Sequence, residues 1–373
     1  MRIGFDAKRA FQNFSGLGNY SRYVISNICR FYPENECLLY TPGIKDKNLF
    51  HKPEGTVVRQ PGKDLWNLKG ALWRSFRLSS LLKEDGIDLF HGLSNELPYG
   101  IHRSRVRSVV TIHDLIFMVL PGLYKPLDRK IYEHKVRYGT RVASRIIAVS
   151  EQTKQDIIRF LDVDESRISV VYQGCHRQFY KRVSDDMLQS SRRQFALPST
   201  YLLYVGTIEE RKNLLRVVMA MHQGKIDIPL VVVGKKTAYF NLVKEYIEKH
   251  QVQNIHFLDQ VQTINLPAIY QGSSGFIYPS SYEGFGIPIL EALNSGVPVI
   301  TSRGGCLEET AGKGGILIDP FDQDEMIEAI RQVLEDSALR DRLIREGGAH
   351  TLKFREEQTI PALYNVYLQS RND

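Results

Sequence analysis

Two carboxylates eight residues apart, set in a glycine-containing loop, are the residues of this sequence most able to do chemistry. Ser280–Pro298 reads SSYEGFGIPILEALNSGVP, with Glu283 and Glu291 as the pair. Gly284 and Gly286 permit a loop whose backbone N–H groups come close to a ligand. Pro288 suits the first turn of a helix, where its missing N–H is not needed. Glu291 then falls in or beside that turn, near the positive end of the helix dipole. A carboxylate accepts two hydrogen bonds at once, which suits adjacent sugar hydroxyls, and the loop amides with a helix start suit a phosphate. Without a ligand the same residues would be a capped helix with solvated glutamates.

A second segment, Tyr201–Asn213, reads YLLYVGTIEERKN. Its apolar strand runs into Gly206 and a polar turn bearing Arg211 and Lys212. Adjacent cations beyond a parallel strand can neutralise a diphosphate, including one that leaves during reaction. The alternative is a cation pair facing water. In Val109–Leu115, VVTIHDL, His113 and Asp114 stand where an apolar strand ends. A histidine there can bond a hydroxyl or a developing charge, or can serve as a satisfied structural group. His91 ends another strand in the same way. Asn13–Tyr20, NFSGLGNY, places Gly16 and Gly18 where a helix opens. It lacks the full GxGxxG fingerprint because position 21 is Ser, so it is weak evidence for phosphate contact alone. Asp162–Asp164 and Asp322–Asp324 imitate a DxD metal clamp, but both lie at helix ends, where capping explains an aspartate more simply. No metal site is expected.

These residues need strands to end beside them. Short apolar runs alternate with amphipathic segments along all 373 residues. Strands are expected at 3–5, 37–40, 88–90, 108–112, 146–149 and 168–171. A second series is expected at 201–205, 230–233, 255–257, 275–278, 298–300 and 316–318. Helices fit near 18–31, 64–83, 126–142 and 151–160, then near 213–223, 239–249, 264–271, 287–295, 322–335 and 338–348. Strand–helix alternation implies parallel sheets covered on both faces. The run is too long for one sheet. A polar stretch, Lys181–Gln194, followed by Pro198, reads as a linker. The expected fold is α/β, with two doubly wound Rossmann-like domains facing a cleft, and a closed (β/α)8 barrel is the rival. The expected boundaries are 1–180, 195–352 and a terminal helical segment, 353–373.

Charge is unevenly spread. Residues 1–180 carry 28 basic and 18 acidic side chains, a net of +10, against −3 for the remainder. That points to an anionic partner or surface on the first half. Four cysteines without CxxC spacing read as reduced thiols of a cytoplasmic protein. No apolar run reaches signal-peptide or membrane-spanning length. The composition excludes disordered, collagen-like and coiled-coil chains.

Taken together, GTIEERKNL, EGFGIPILEA and GVPVI resemble the nucleotide-sugar glycosyltransferases of the GT-B fold, family 4. The resemblance extends to the glycine loop, the HD pair at 113–114 and VSEQTKQDI at 149–157. It implies a retaining, metal-independent hexosyltransferase that needs no cofactor. The donor would be a nucleotide-diphosphate sugar held mainly by the C-terminal domain, and the acceptor would lie mainly on the N-terminal one. Glu291 would then bind ribose hydroxyls, and Arg211 and Lys212 the diphosphate. Glu283 with the amides of Gly284, Phe285 and Gly286 would hold the transferred sugar. His113 would contact that sugar near the reacting centre, with Asp114 beside it. Gly206 would border the site, and Gly16 and Gly18 would approach the phosphates. The final helix would cross back to the N-terminal domain. YVGTIEERKNL looks most like enzymes that use GDP-mannose.

Many relatives act on lipid-linked acceptors, which offers the basic half an anionic membrane surface at the inner face of the cell membrane. Trp66–Leu82, with Trp73, Phe76, Lys69, Arg74 and Arg77, could be an interfacial helix or a core helix with a basic outer face. A glycan or lipid-linked acceptor is expected and nucleic acid is not, because no recognition motif accompanies the basic half. A nucleotide-sugar epimerase on the same fold and a basic nucleic-acid-binding protein are the alternative functions. A silent scaffold fits poorly, since both glutamates and the cation pair are present.

Overall fold

Every strand that ends at a candidate site residue is apolar and buried on both faces, as a parallel sheet with helices on each side requires. The computed structural model describes residues 1–46, 48–62 and 70–371. The chain divides into two compact units, Met1–Gly174 with Glu356–Asp373, and Cys175–Arg355.

In the first unit the strands are β1 (Arg2–Asp6), β2 (Glu36–Tyr40), β3 (Val57–Arg59), β4 (Leu89–Gly92), β5 (Arg107–Ile112), β6 (Arg145–Ala148) and β7 (Ile168–Val170). They form one parallel sheet in the order β3-β2-β1-β4-β5-β6-β7. Successive side chains go to opposite faces. Ile3, Phe5, Leu39, Val109 and Ile147 pack toward helices Gly16–Phe31 and Glu356–Gln369. Leu38, Tyr40, Phe90, Val110 and Ile146 pack on the other side, with Trp73, Leu78 and Leu82. The chain leaves β1 in one direction and returns to β4 on β1's other side. The order therefore switches between β1 and β4, the position at whose carboxyl ends open sheets of this kind bind ligands.

The second unit repeats the scheme with β8 (Leu202–Val205), β9 (Leu230–Val233), β10 (Ile255–Leu258), β11 (Gly275–Tyr278), β12 (Val299–Ser302) and β13 (Gly315–Ile318). The parallel order is β10-β9-β8-β11-β12-β13, so its switch lies between β8 and β11. Both sheets are open, which removes the closed barrel.

Several expectations need correction. Lys181–Gln194 is no linker. Asp185–Phe195 is a helix, capped by Ser184 Oγ accepting from the Met187 N–H, and it belongs to the second unit. Its polar composition reflects a surface helix that buries little beyond Ser191. β3 escaped notice because it is a three-residue edge strand, exposed at both ends. Trp66 and Lys69 of the expected interfacial helix lie outside the described residues. From Gly70 to Glu84 the chain is helical, with one wide π turn. Its Trp73, Leu78 and Leu82 are core residues, and Arg74 is buried too. Those side chains are packed within the protein, whereas Phe76 remains exposed. Asp164 and Asp322 cap helices by accepting from the N–H groups of Ser166 and Glu325, and Asp162 terminates a helix in the left-handed region. All four cysteines are free thiols. Among the described residues no helix is long and apolar enough to cross a membrane.

Candidate functional site

The switch of the second sheet gathers three of the predicted residues. After β8 the chain passes Gly206 and reaches a single 3-10 turn, Glu210–Lys212, closed by Asn213 in the left-handed region (φ 58°). Asn213 is buried, and its Nδ2 donates to the carbonyl of Pro279 at 2.9 Å. The Ser281 N–H donates to the carbonyl of Arg211 at 2.8 Å. These bonds tie the turn after β8 to the loop after β11, so the cation pair and Glu283 meet across about 70 residues of sequence.

Glu283 is the hub. Its Oε1 lies 2.7 Å from Arg211 Nη1 and 3.5 Å from Lys212 Nζ. It also accepts from Tyr278 Oη at 2.8 Å and Ser280 Oγ at 3.0 Å. Lys212 Nζ donates to Tyr278 Oη at 2.7 Å, and Arg211 Nη2 donates to Glu209 at 2.6 Å. Arg211 also donates to the carbonyl of Tyr282. Burial alone would raise the Glu283 carboxyl, but the Lys212 and Arg211 charges overcome it and hold it down to about 2. Burial works against the Arg211 cation as well, and Glu283 and Glu209 more than compensate, which pushes its pKa upward. Two fixed cations and an ionised carboxylate at a strand switch form a preorganised charge site.

Glu291 behaves differently. Helix Ile287–Asn294 starts from Gly286, whose φ of 148° lies where a side chain is strained. Glu291 is its fifth residue, just beyond the first turn, and the first turn itself carries no acid. Its Oε2 accepts from Tyr270 Oη at 3.0 Å. Burial raises its carboxyl to about 7, with the Tyr270 bond opposing. Among the described residues no cation pairs with it to hold the charge, so it changes protonation near neutrality, as functional carboxylates often do. Of the expected loop, Phe285 turns its ring inward against Phe354, with centroids 5.6 Å apart, which leaves its backbone as the part a ligand could meet.

In the first unit, His113 follows β5. Its Nε2 lies 2.9 Å from the carbonyl of Leu93, and its N–H donates to Asn95 Oδ1 at 2.8 Å. A carbonyl can only accept, so Nε2 carries the proton and Nδ1 is an acceptor. Burial lowers its pKa to about 4, against the Leu93 bond and with Arg9 adding to the fall. His113 is therefore neutral at pH 7, with a lone pair on Nδ1. Asp114 accepts from the Ile116 N–H at 3.2 Å. Gly16 is the first residue of its helix, and Gly18 is buried against the turn before it. A Cβ on Gly18 would come within 1.9 Å of the Asn13 carbonyl oxygen, so that glycine is required by the turn itself. Tyr20 brings this helix to the HD loop, its ring edge-on to His113 at 4.6 Å. His91 is a structural group. It bonds Tyr367 Oη at 2.7 Å and Thr111 Oγ1 at 2.8 Å, and burial lowers its pKa to about 3.

The structure thus joins Arg211, Lys212 and Glu283 directly and keeps Glu291 and the glycine loop in the same unit. It places His113, Asp114, Gly16 and Gly18 together in the other unit. The sequence reading missed Tyr278 and Tyr270, whose hydroxyls bond the two glutamates. Both sit in apolar runs that read as core. For Tyr278 the available signal was its place as the last residue of a buried strand, and Tyr270, inside helix Leu266–Gln271, offered none.

The profile described as Glycosyltransferase Family 4 matches residues 22–179, and that of Glycosyl transferases group 1 matches residues 189–350. O-antigen chain mannosyltransferase B of Escherichia coli is 30% identical over 285 residues, covering 75% of this chain and 74% of the relative. Serotype-specific mannosyltransferase WbdA of the same species is 27% identical over 71% of this chain, which spans 34% of that longer protein. Anabaena HepE, solved in complex with UDP and glucose, superposes with a TM-score of 0.76 at 18% identity over 98% of this chain and 99% of its own.

Proposed function

This chain belongs to the family 4 glycosyltransferases (glycosyl transferases group 1) of the GT-B fold, and from that membership we propose that it is a retaining hexosyltransferase for cell-surface polysaccharide synthesis. The donor is a nucleotide-diphosphate sugar, GDP-mannose by preference, and the acceptor is a glycan or lipid-linked glycan. The preference for mannose rests on the relatives, one named as an O-antigen chain mannosyltransferase and the other as a serotype-specific mannosyltransferase. The observation that carries the reading is the Arg211–Lys212–Glu283 cluster at the β8–β11 switch.

When the anomeric C–O bond to the diphosphate breaks, negative charge collects on the leaving oxygens. Arg211 and Lys212 supply the cations there, in place of a divalent metal. The acceptor hydroxyl adds on the same face of the sugar, and its proton passes to the leaving diphosphate. Glu283 keeps the two cations in place and, with the amides of Gly284–Gly286, holds the sugar. Glu291 accepts from the ribose hydroxyls. Gly206 leaves room beside Lys212, whose Nζ would lie 3.4 Å from a Cβ added there. In the acceptor unit His113 offers its Nδ1 lone pair to a hydroxyl, Asp114 shapes the same loop, and Gly16 and Gly18 open the helix that Tyr20 brings beside His113.

We place the enzyme in the cytoplasm at the inner face of the membrane. Leu123, Leu127, Ile131 and Tyr132 are all exposed within ten residues of the basic half, among Lys125, Arg129 and Lys130. That mixture suits an anionic bilayer surface. Sedimentation with anionic liposomes at moderate salt tests this, and absence of binding removes it.

The central experiment is a binding and turnover screen against a panel of nucleotide sugars, with NMR of the product anomer. GDP-mannose should bind and yield an α-linked product, since its own linkage is α. Failure of every nucleotide sugar to bind would overturn the reading, and free isomerised donor formed without acceptor would assign an epimerase instead.

A further inference from the structure

The carboxyl edge of the first unit's sheet carries positive charge that its own carboxylates do not meet. β1 ends at Asp6, and the chain continues through Ala7 into the short helix Lys8–Gln12. Lys8 and Arg9 therefore stand beside the β1–β4 switch, where open parallel sheets bind ligands. The acids nearby are already engaged. Asp6 Oδ2 is 2.8 Å from Arg74 Nε, and the two oxygens of Glu96 take Arg74 at 2.5 Å and Lys135 at 2.9 Å. Among the described residues, neither the Lys8 ammonium nor the Arg9 guanidinium has an ion-pair partner. Arg9 Nε is buried without any hydrogen-bond acceptor. A buried donor left without a partner carries its full desolvation cost until an acceptor arrives.

The second unit shows what such a position looks like when it is balanced. At its switch, Arg211 and Lys212 also follow a central strand, and Glu283 answers both. The first unit has an Arg and a Lys at the equivalent turn but no such carboxylate. The local electrostatics agree. Burial and the charges of Arg74 and Arg9 pull the Lys8 pKa down, the charges of Glu96 and Asp6 oppose this without outweighing it, and Arg9 contributes to keeping His113 neutral. The Arg9 guanidinium is thus close to the imidazole at the end of β5.

We propose that Lys8 and Arg9 form a binding site for a phosphoryl anion at the β1–β4 switch, one carried by the substrate that this unit takes. Arginine supplies a planar fork for two phosphate oxygens, and lysine supplies a point charge. The inference deepens the transferase reading, on which the identity of the carrier rests: the acceptor would bear a phosphate or phosphodiester close to the hydroxyl that is glycosylated. The donor's diphosphate is the other source with the same chemistry.

The test uses the intact protein, with inorganic phosphate as probe at fixed ionic strength. Calorimetric titrations are run alone and after saturation with GDP. The wild type should retain a phosphate site in the presence of GDP. Arg9→Gln and Lys8→Gln should each weaken it by about tenfold, the loss of one charge-assisted hydrogen bond, while GDP affinity stays within twofold. If GDP instead abolishes the phosphate site and Arg9→Gln weakens GDP by the same factor, the anion is the donor's diphosphate and the site stands. Phosphate affinity unchanged in both variants overturns the proposal. Should Arg9→Gln fail to fold by circular dichroism, Arg9→Lys combined with Lys8→Gln gives the same reading. Failure of the transferase reading appears separately, as loss of all nucleotide binding by the wild type.

Discussion

Glu291→Gln tests two consequences of one geometry, a carboxyl buried against Tyr270 with no cation beside it. Its pKa is raised from 4.5 to about 7. Between those values the folded protein holds a proton that the unfolded chain has released, so stability falls as pH rises through this window. The full cost is reached above pH 7, and at 1.36 kcal/mol per pH unit it is at most about 3 kcal/mol. Glutamine keeps the shape and a hydrogen-bonding group but cannot ionise. The variant should match the wild type in urea near pH 4.5 and exceed it by up to about 3 kcal/mol at pH 8. Nucleotide binding should move the other way. A carboxylate that accepts from ribose hydroxyls must be ionised, and a group titrating near 7 is roughly 10% ionised at pH 6 and 90% at pH 8. Wild-type GDP affinity should therefore rise about tenfold over that interval relative to the variant, whose own slope reports the nucleotide's titration. Parallel slopes for the two proteins, in denaturation and in binding, would refute the reasoning.

Lys212→Ala should lower turnover by about 10²–10³, the scale for removing one preorganised charge-stabilising donor, and near-normal turnover would remove its assigned role. Glu283→Ala leaves the Arg211 guanidinium, only 10% exposed, with Glu209 as its remaining acid. Breaking a buried pair of this kind costs about 3–5 kcal/mol, and a loss below about 1 kcal/mol by chemical denaturation would show that Glu283 is not the counter-ion. His91 is held near 3, against 6.5 for a free imidazole, by burial and then by His113. The unfolded chain takes up that proton first, so stability drops as pH falls from about 6.5 toward 3, by up to about 5 kcal/mol. His91→Gln should flatten this acid limb, and an unchanged acid midpoint would contradict it.

What could be read from the sequence follows from which signals are local. Strands such as Leu230–Val233 and Leu202–Val205 are unbroken apolar runs, because helices cover both faces, and they stand out without any neighbour being known. Helix Asp185–Phe195 does not stand out. It fully buries only Ser191, with Met187, Leu188 and Phe195 half-buried, so composition alone makes it look like a connector. The site was legible in its parts. The glycine loop and the cation pair each announce a ligand-facing turn. Their union was not legible, because only the strand order of the second sheet brings the turn after β8 beside the loop after β11. The same gap hid Tyr278, whose ring reads as core while its hydroxyl links Lys212 to Glu283.

The basic excess of residues 1–180 also changes meaning once partners are known. A share of it pins the backbone and is unavailable to any ligand. Arg22 Nη1 donates to the carbonyls of Ala10 and Asn13, and Arg167 Nη2 to that of Thr140, all at 2.9 Å. Arg74 and Lys135 are neutralised by Asp6 and Glu96, and Arg59 by Asp85 at 2.9 Å. Two sets then stand apart. Lys125, Arg129 and Lys130 lie among exposed apolar side chains, while Lys8 and Arg9 are half-buried at a strand switch. Salt separates them on physical grounds. Exposed charges are screened within a Debye length of about 8 Å at physiological ionic strength, and partly buried ones much less. Attachment to anionic liposomes should therefore fade with added salt well before phosphate is lost from the Lys8–Arg9 switch. Equal salt sensitivity would mean that the two sets belong to one continuous surface field, and the division drawn between them would fail.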